Sequence, residues 1–381
     1  MDQKRQIETA RRVVVKVGSN LLTAKDGLDL KAIRRIAGQV CSLIDAGREV
    51  ILVSSGAMAS GMKKIGLGRR PDELPQRQAA AAVGQAGLIM EYEKAFERHG
   101  RKVAQILLTS EDLSSRKRYL NARNTLNTLL GWQIVPIINE NDTVSVEEIK
   151  LGDNDNLAAM ITLLMDADLL VILSDIDGLF TKDPRTQPDA ELIPVVKGIT
   201  RSTEQAAGSI PGPLGTGGML SKLNAARKVN AAGVPMVVAK GDKTRILERL
   251  FLGEAHGTYF VPRGEKLNRR KCWIAFSLKP KGALSIDDGA RLALVARRKS
   301  LLASGIVGVT GDFAVGTPVE FKDASGEPVG VGLVNYSAAD IRKIMGLKSQ
   351  HIGQVLGQKP YDEVIHRDNL VITVDEGVED G

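Results

Sequence analysis

Short apolar runs alternate with longer amphipathic stretches over residues 1–260. Arg12–Val17, with Val13-Val14-Val15 at its centre, predicts a strand buried on both faces. Over residues 29–47, Leu30, Ile33, Ile36, Ala37, Val40, Leu43 and Ile44 recur at helical spacing, and Gly47 ends the pattern. The alternation continues with a strand at Val50–Val53, a helix over 76–98, a strand at Val103–Leu108 and a helix over 119–130. A strand at Ile134–Ile138, a helix over 157–165 and a strand at Leu169–Leu173 follow. A helix over 221–232 and a strand at Val234–Ala239 close the series. Strands separated by helices predict βαβ crossovers, hence an α/β fold with a mainly parallel sheet. Ligands in such sheets sit at the carboxyl ends of strands, where the polar and glycine-rich segments of this chain fall.

From about residue 281 the texture changes. Ile306–Val309, Thr317–Phe321 and Val329–Val334 are short strand patterns broken by glycine, which predicts a small C-terminal β-barrel. A basic stretch from Arg263 to Lys281 marks the join. We set the first domain at 1–265, a linker at 266–280, the barrel at 281–365 and an acidic tail at 366–381.

Composition narrows the class. In 381 residues, 43% are apolar and only 4% aromatic, so the core rests on Val, Ile, Leu and Ala, as in helix-covered parallel sheets. Cys41 and Cys272 are too few for a disulfide framework and fit no metal-ligand spacing. The four histidines are scattered, and no metal site is expected. Met1–Gln6 is charged, without the apolar run of a signal peptide, and Leu157–Leu173 is interrupted by Asp166 and Asp168. A cytoplasmic protein without membrane contact is expected. The net charge is +7, unevenly spread. Residues 281–381 hold 11 basic and 14 acidic side chains, leaving 41 and 31 in the rest. The excess of positive charge thus lies in the α/β domain, where a polyanionic nucleotide would use it.

The chemistry rests on strand ends. The patterns GxxxxGK[ST], HRD/DFG and GxSxG do not occur. Lys16-Val17-Gly18-Ser19 places a cation beside backbone N–H groups, as phosphate oxygens require. Ser54-Ser55-Gly56-Ala57 lets a ligand approach the backbone. Ile138-Asn139-Glu140-Asn141-Asp142 and Gly152-Asp153-Asn154-Asp155-Asn156 supply more short hydrogen-bonding side chains than caps and turns need. They suit the ammonium and carboxylate of an amino acid. Gly215-Thr216-Gly217-Gly218-Met219-Leu220-Ser221-Lys222 sets a second lysine at a helix start, against the helix dipole, a conflict that a bound anion relieves. Ser174-Asp175 follows another strand and suits the ribose or base region of a nucleotide. Two lysines, glycine cradles and an amino-acid site together predict phosphoryl transfer to a small acid. A carboxylate acceptor with a pKa near 4.3 is already ionised at pH 7 and needs no general base.

In their order along the chain, the motifs Lys16–Ser19, Ser54–Ala57, Ile138–Asp142, Gly152–Asn156 and Gly215–Met219 resemble the amino acid kinase family. The INEND and GDNDN pair resembles the branch whose acceptor is the side-chain carboxylate of L-glutamate. The region from 281 looks like a PUA domain, a small barrel first described in RNA-modifying enzymes. The resemblance implies an αβα sandwich and the use of ATP and Mg²⁺. It gives Lys16 and Lys222 contact with the transferring phosphoryl group, and Asp155 the task of organising them. It gives Ser55, Asp142 and Asn154 the glutamate. It gives ATP to Lys16, Ser174, Asp175, Thr216, Gly217, Gly218, Met219, Leu220, Ser221 and Lys222. It further implies γ-glutamyl phosphate as product, the first intermediate of proline biosynthesis, consumed by a γ-glutamyl phosphate reductase. Proline as feedback inhibitor and a homo-oligomer, dimer or tetramer, are also implied. The family often has threonine where Ser174 and Ser221 stand here; both changes keep a hydroxyl. The rivals are a kinase for another small acid, such as N-acetylglutamate, and an RNA-binding protein acting through the PUA-like region. The net negative charge of residues 281–381 disfavours the RNA reading.

Overall fold

Strand β1 (Arg12–Val17) has strands on both sides. The computed structural model describes residues 3–24, 27–144, 154–200, 203–204, 218–262 and 267–373. After β1 come β2 (Glu49–Val53), β3 (Val103–Leu108), β4 (Val135–Glu140), β5 (Leu169–Ser174), β6 (Val195–Val196), β7 (Met236–Lys240) and β8 (Thr258–Phe260). They form one eight-stranded sheet in the order β3-β4-β2-β1-β5-β7-β8-β6. Neighbours run parallel except β7 and β8, which are antiparallel. The winding reverses at β1, with β2 to its one side and β5 to the other. That is the place where an open α/β sheet leaves a crevice beyond its strand ends.

The strand faces alternate. Val13, Val15, Val17, Val50 and Leu52 share a core with Ile33, Ile36 and Val40 of helix α1 (Leu30–Asp45). Val14 and Ile51 turn to the opposite face and are equally buried. Each such side chain stabilises the fold by about 1.5–3 kcal/mol. Helix α1 starts where Asp29 Oδ1 accepts from the N–H groups of Lys31 and Ala32 at 2.9 and 3.0 Å.

Helices α2 (Ala57–Lys64), α3 (Leu74–Glu97) and α4 (Arg116–Gly131) follow, then α5 (Asn154–Leu164) and α6 (Met219–Ala231). Helix α3 packs with α1; α5 packs with α6 and on β1, β2 and β5. The result is an αβα sandwich. Within residues 1–240, each expected element is present with ends moved by at most three residues. Helix α2 was not legible. It forms against α3 because two glycines remove the side chains between them. A Cβ on Gly61 would lie 1.7 Å from Ala80 O, and one on Gly84 1.8 Å from Ala57 O.

The chain divides into two compact units, Met1–Lys266 and Leu267–Gly381. The second holds β9 (Ala283–Ile286), β10 (Ile306–Thr310), β11 (Pro318–Lys322), β12 (Pro328–Leu333) and β13 (Leu370–Ile372). These five form a sheet in the order β10-β9-β11-β12-β13, with register shifts at Ser285/Ile286 and Phe321/Lys322. Its core joins Leu284, Phe321 and Val329 to Ile341 and Ile344 of the helix Ala338–Ile344. Two features differ from the expected segments. Within the stretch read as a linker, Arg269–Phe276 is a helix that packs on β12 and β13 of this unit, burying Cys272 and Ile274. Within the stretch read as a tail, Leu370 and Val371 are buried and make β13. Among the described residues, no helix is long and apolar enough to cross a membrane.

Candidate active site

The carboxyl ends of β1, β2, β4 and β5 converge beside the first turn of α5. Lys16, next to last in β1, is buried and points to the α5 face of the sheet. Asp155, fully buried in the first turn of α5, faces it: Lys16 Nζ lies 2.5 Å from Asp155 Oδ1. Lys222, in the first turn of α6, reaches the other carboxylate oxygen, Nζ to Oδ2 3.1 Å. Ser221 Oγ donates to the same oxygen at 3.1 Å. One carboxylate therefore spaces two buried lysines that lie far apart in the sequence.

Burial alone would raise the Asp155 pKa. The charges of Lys16 and Lys222, and their hydrogen bonds, outweigh it and hold the carboxyl at about 2, against an ordinary value of 3.8. The positive end of the α5 dipole acts in the same direction. Removing the carboxylate would leave two like charges in a water-poor site, which is costly.

One residue earlier, Asn154 serves a different cluster. Its Nδ2 donates to Ser54 O at 2.8 Å, Ser55 Oγ at 2.8 Å and Asn139 Oδ1 at 3.0 Å. Asn139 Oδ1 also accepts from Glu140 N–H at 2.9 Å. The turn after β2 is bound to β4 through Ser54 N–H to Ile138 O, 2.9 Å. Gly56 then leaves the strand with φ of 103°, a conformation that an L side chain would strain. Asp142 is half-buried just beyond the end of β4.

On the other flank, Ser174 ends β5 and its Oγ donates to Asp175 Oδ1 at 3.1 Å. Asn20 Nδ2 donates to Asp175 Oδ2 at 2.9 Å, tying together the segments that follow β1 and β5. Burial pushes the Asp175 pKa up, but bonds from Asn20, its own backbone N–H and Ser174, with the charge of Lys222, bring it below its usual value.

Of the sequence-predicted residues, Lys16, Asp155, Ser221 and Lys222 are in direct contact, as are Ser55 and Asn154. Ser174 and Asp175 lie at the end of β5, where the Lys222 charge reaches Asp175. Gly218 caps α6; Met219 is buried in its first turn, and Leu220 is exposed. Thr216 and Gly217 lie outside the described residues, as do Gly152 and Asp153. Three further residues join the site: Asn139, Asn20 and Ser54. Asn139 was within reach, being part of the INEND cluster. Ser54 was within reach too, as part of the Ser54–Ala57 motif; Asn20 acts through a spatial neighbour that adjacency along the chain does not reveal.

A mainly parallel sheet carrying two lysines on one buried carboxylate at its switch point is the framework of a phosphoryl-transfer enzyme. Residues 11–240 match the model of the amino acid kinase family, and residues 282–356 match that of the PUA domain. The chain belongs to the amino acid kinase family, and it uses ATP as that family's members do. Over 374 residues it is 50% identical to the glutamate 5-kinase of Syntrophus aciditrophicus (strain SB), covering 98% of this chain and 97% of the relative. It is 51% identical over 367 residues to the glutamate 5-kinases of Geobacter sulfurreducens and Geobacter metallireducens, in each case covering 96% of this chain and 98% of the relative.

Proposed function

We propose that this protein transfers the γ-phosphoryl group of ATP to the side-chain carboxylate of L-glutamate, giving L-glutamyl 5-phosphate and ADP. Relatives of that name align along nearly the whole chain at about half identity. The observation that carries the reading to chemistry is the Lys16–Asp155–Lys222 bridge.

The acceptor carboxylate is ionised at neutral pH, so one of its oxygens attacks the γ-phosphorus without a general base. The new bond is carboxyl O–P; the bond broken is that from the γ-phosphorus to the β,γ-bridging oxygen, which leaves with ADP. The obstacle is repulsion between two anions. Lys16, at the end of β1, and Lys222, at the start of α6, place positive charge on both sides of the transferring group. Asp155 fixes their separation before substrates bind.

Ser55 and Asn154, with Asp142 beyond β4, hold the amino acid. Ser174, Asp175 and the segment from Thr216 to Lys222 hold ATP. Asp155 has each carboxylate oxygen beside a lysine ammonium and offers neither to a metal. Mg²⁺ travels with the ATP phosphates, whose oxygens suit it, and adds positive charge there. Proline competes for the amino-acid cradle, since it shares the α-carboxylate and a positive nitrogen with glutamate. The protein works in the cytoplasm as a homo-oligomer and hands its labile product to a reductase.

The test is ATP turnover in the presence of hydroxylamine, with glutamate, aspartate or N-acetylglutamate as acceptor. Hydroxamate formed with glutamate alone supports the reading. Preference for either of the other two would reject the proposed acceptor.

A further inference from the structure

The hydroxyl of Tyr92 has no part in the chemistry above, yet it ends in the substrate loop. Tyr92 lies in α3, is fully buried, and places its OH 2.9 Å from Ser54 Oγ. Ser54 Oγ in turn donates to Ser55 O at 3.1 Å. Only one assignment of protons satisfies both contacts. A serine hydroxyl has one proton. Since it goes to the Ser55 carbonyl, Tyr92 is the donor to Ser54. Burial raises the Tyr92 pKa more than the Ser54 bond lowers it, so the phenol keeps its proton at every working pH.

We infer that Tyr92 is a positioning residue for the amino-acid cradle: the relay Tyr92 O–H to Ser54 O–H to Ser55 C=O fixes the Ser55 peptide from the core side, while Asn154 fixes the Ser55 hydroxyl from the α5 side.

Ser55 is thereby held at two points, its carbonyl through Ser54 and Tyr92 and its Oγ through Asn154. The next residue, Gly56, has a positive φ and no side chain to restrict it. Without the relay, that glycine hinge leaves the Ser55 peptide free to rotate. The close glycine crossing of α2 and α3 serves the same end. It sets α3 near enough for Tyr92 to reach the loop that precedes α2. Tyr92 also packs on Phe96, with ring centroids 6.4 Å apart, so its ring is fixed apart from its hydroxyl. The phosphate-side lysines do not touch this relay, so its effect falls on the amino acid and not on ATP.

The inference rests on Ser55 belonging to the glutamate site, and the experiment separates the two. Tyr92→Phe keeps the ring and removes the donor; Ser54→Ala removes the middle of the relay and covers the case in which the tyrosine variant fails to fold. Steady-state kinetics on both should show the apparent KM for glutamate raised about tenfold, the size of one lost neutral hydrogen bond of about 1.4 kcal/mol. KM for ATP should stay within twofold. The double variant should be no worse than the more affected single, because both changes cut the same relay. Glutamate KM within twofold of the parent in either folded variant, or an equal rise in both KM values, overturns the inference. Ser55→Ala is measured alongside. If it alone raises the glutamate KM, the relay fails and the cradle stands; if Ser55→Ala leaves that KM unchanged, the cradle reading itself fails.

Discussion

Asn154 and Asp155 are consecutive residues that serve opposite halves of one cleft. The Asn154 amide reaches Ser55 Oγ at 2.8 Å, and the Asp155 carboxylate reaches Lys16 at 2.5 Å and Lys222 at 3.1 Å. A single turn of α5 therefore sets the distance between the loop proposed to cradle the amino acid and the pair of lysines proposed to handle phosphate.

Asp155→Asn removes the carboxylate that both lysines share. Two ammonium groups then remain buried beside a neutral amide. Stability should fall by about 3–5 kcal/mol, the usual cost of breaking a buried ion pair. Urea unfolding checks it. A drop below 1 kcal/mol would mean that water already reaches the lysines.

The same group gives a pH dependence with a definite sign. The folded pKa of Asp155 is about 2, below its ordinary 3.8. Its stabilising contribution is complete above the higher value and is lost as pH falls through the lower one. The parent should therefore lose more stability between pH 5 and pH 3 than Asp155→Asn does. Parallel urea midpoints at the two pH values compare them. Equal losses would place the Asp155 pKa at its ordinary value.

Lys222→Ala should leave the chain folded, since Asp155 retains Lys16, but should lower kcat by about 10²–10³. Circular dichroism and initial rates at saturating substrates read both effects. An unchanged kcat in a folded variant would remove Lys222 from the transition state.

Asn154→Ala cuts the amide bonds to Ser54, Ser55 and Asn139 at once. Apparent KM for glutamate should rise by at least tenfold, with KM for ATP little altered. A larger change for ATP would shift Asn154 to the nucleotide side.

Gly84→Ala tests the helix crossing. The added methyl would meet Ala57 O at 1.8 Å and Gly61 N at 2.5 Å, both backbone atoms. Helix α2 must shift away from α3, at a cost of about 1–3 kcal/mol or more. Thermal unfolding of Gly84→Ala against Gly87→Ala, whose Cβ meets only Ser60 Oγ at 3.1 Å, separates this clash from a general effect of glycine replacement.

The α/β framework was legible because its signal is local. Val13-Val14-Val15 is buried on both faces, and α1 carries its apolar stripe at one spacing. The polar clusters were legible because so many Asn and Asp residues have no structural use between apolar elements. What escaped depends on partners far along the chain. Helix α2 is held by glycine contacts with α3. Strand β8, three residues long and antiparallel to β7, is too short to stand out. The α-helices of the second unit are five to eight residues long and were masked by glycine-rich strands. Within the site, Tyr92 reads as an ordinary core aromatic; only its 2.9 Å contact with Ser54 gives it a role.

The most direct test of the central claim follows an oxygen atom. Glutamate labelled with ¹⁸O in its side-chain carboxylate is incubated with ATP and hydroxylamine, and the released phosphate is analysed by mass spectrometry. Attack by the carboxylate makes its oxygen the bridge to phosphorus; hydroxylamine then takes the carbonyl carbon, and that oxygen departs with phosphate. The account predicts one ¹⁸O in each phosphate released. Unlabelled phosphate would mean that water is the acceptor, and would contradict phosphoryl transfer to the carboxylate.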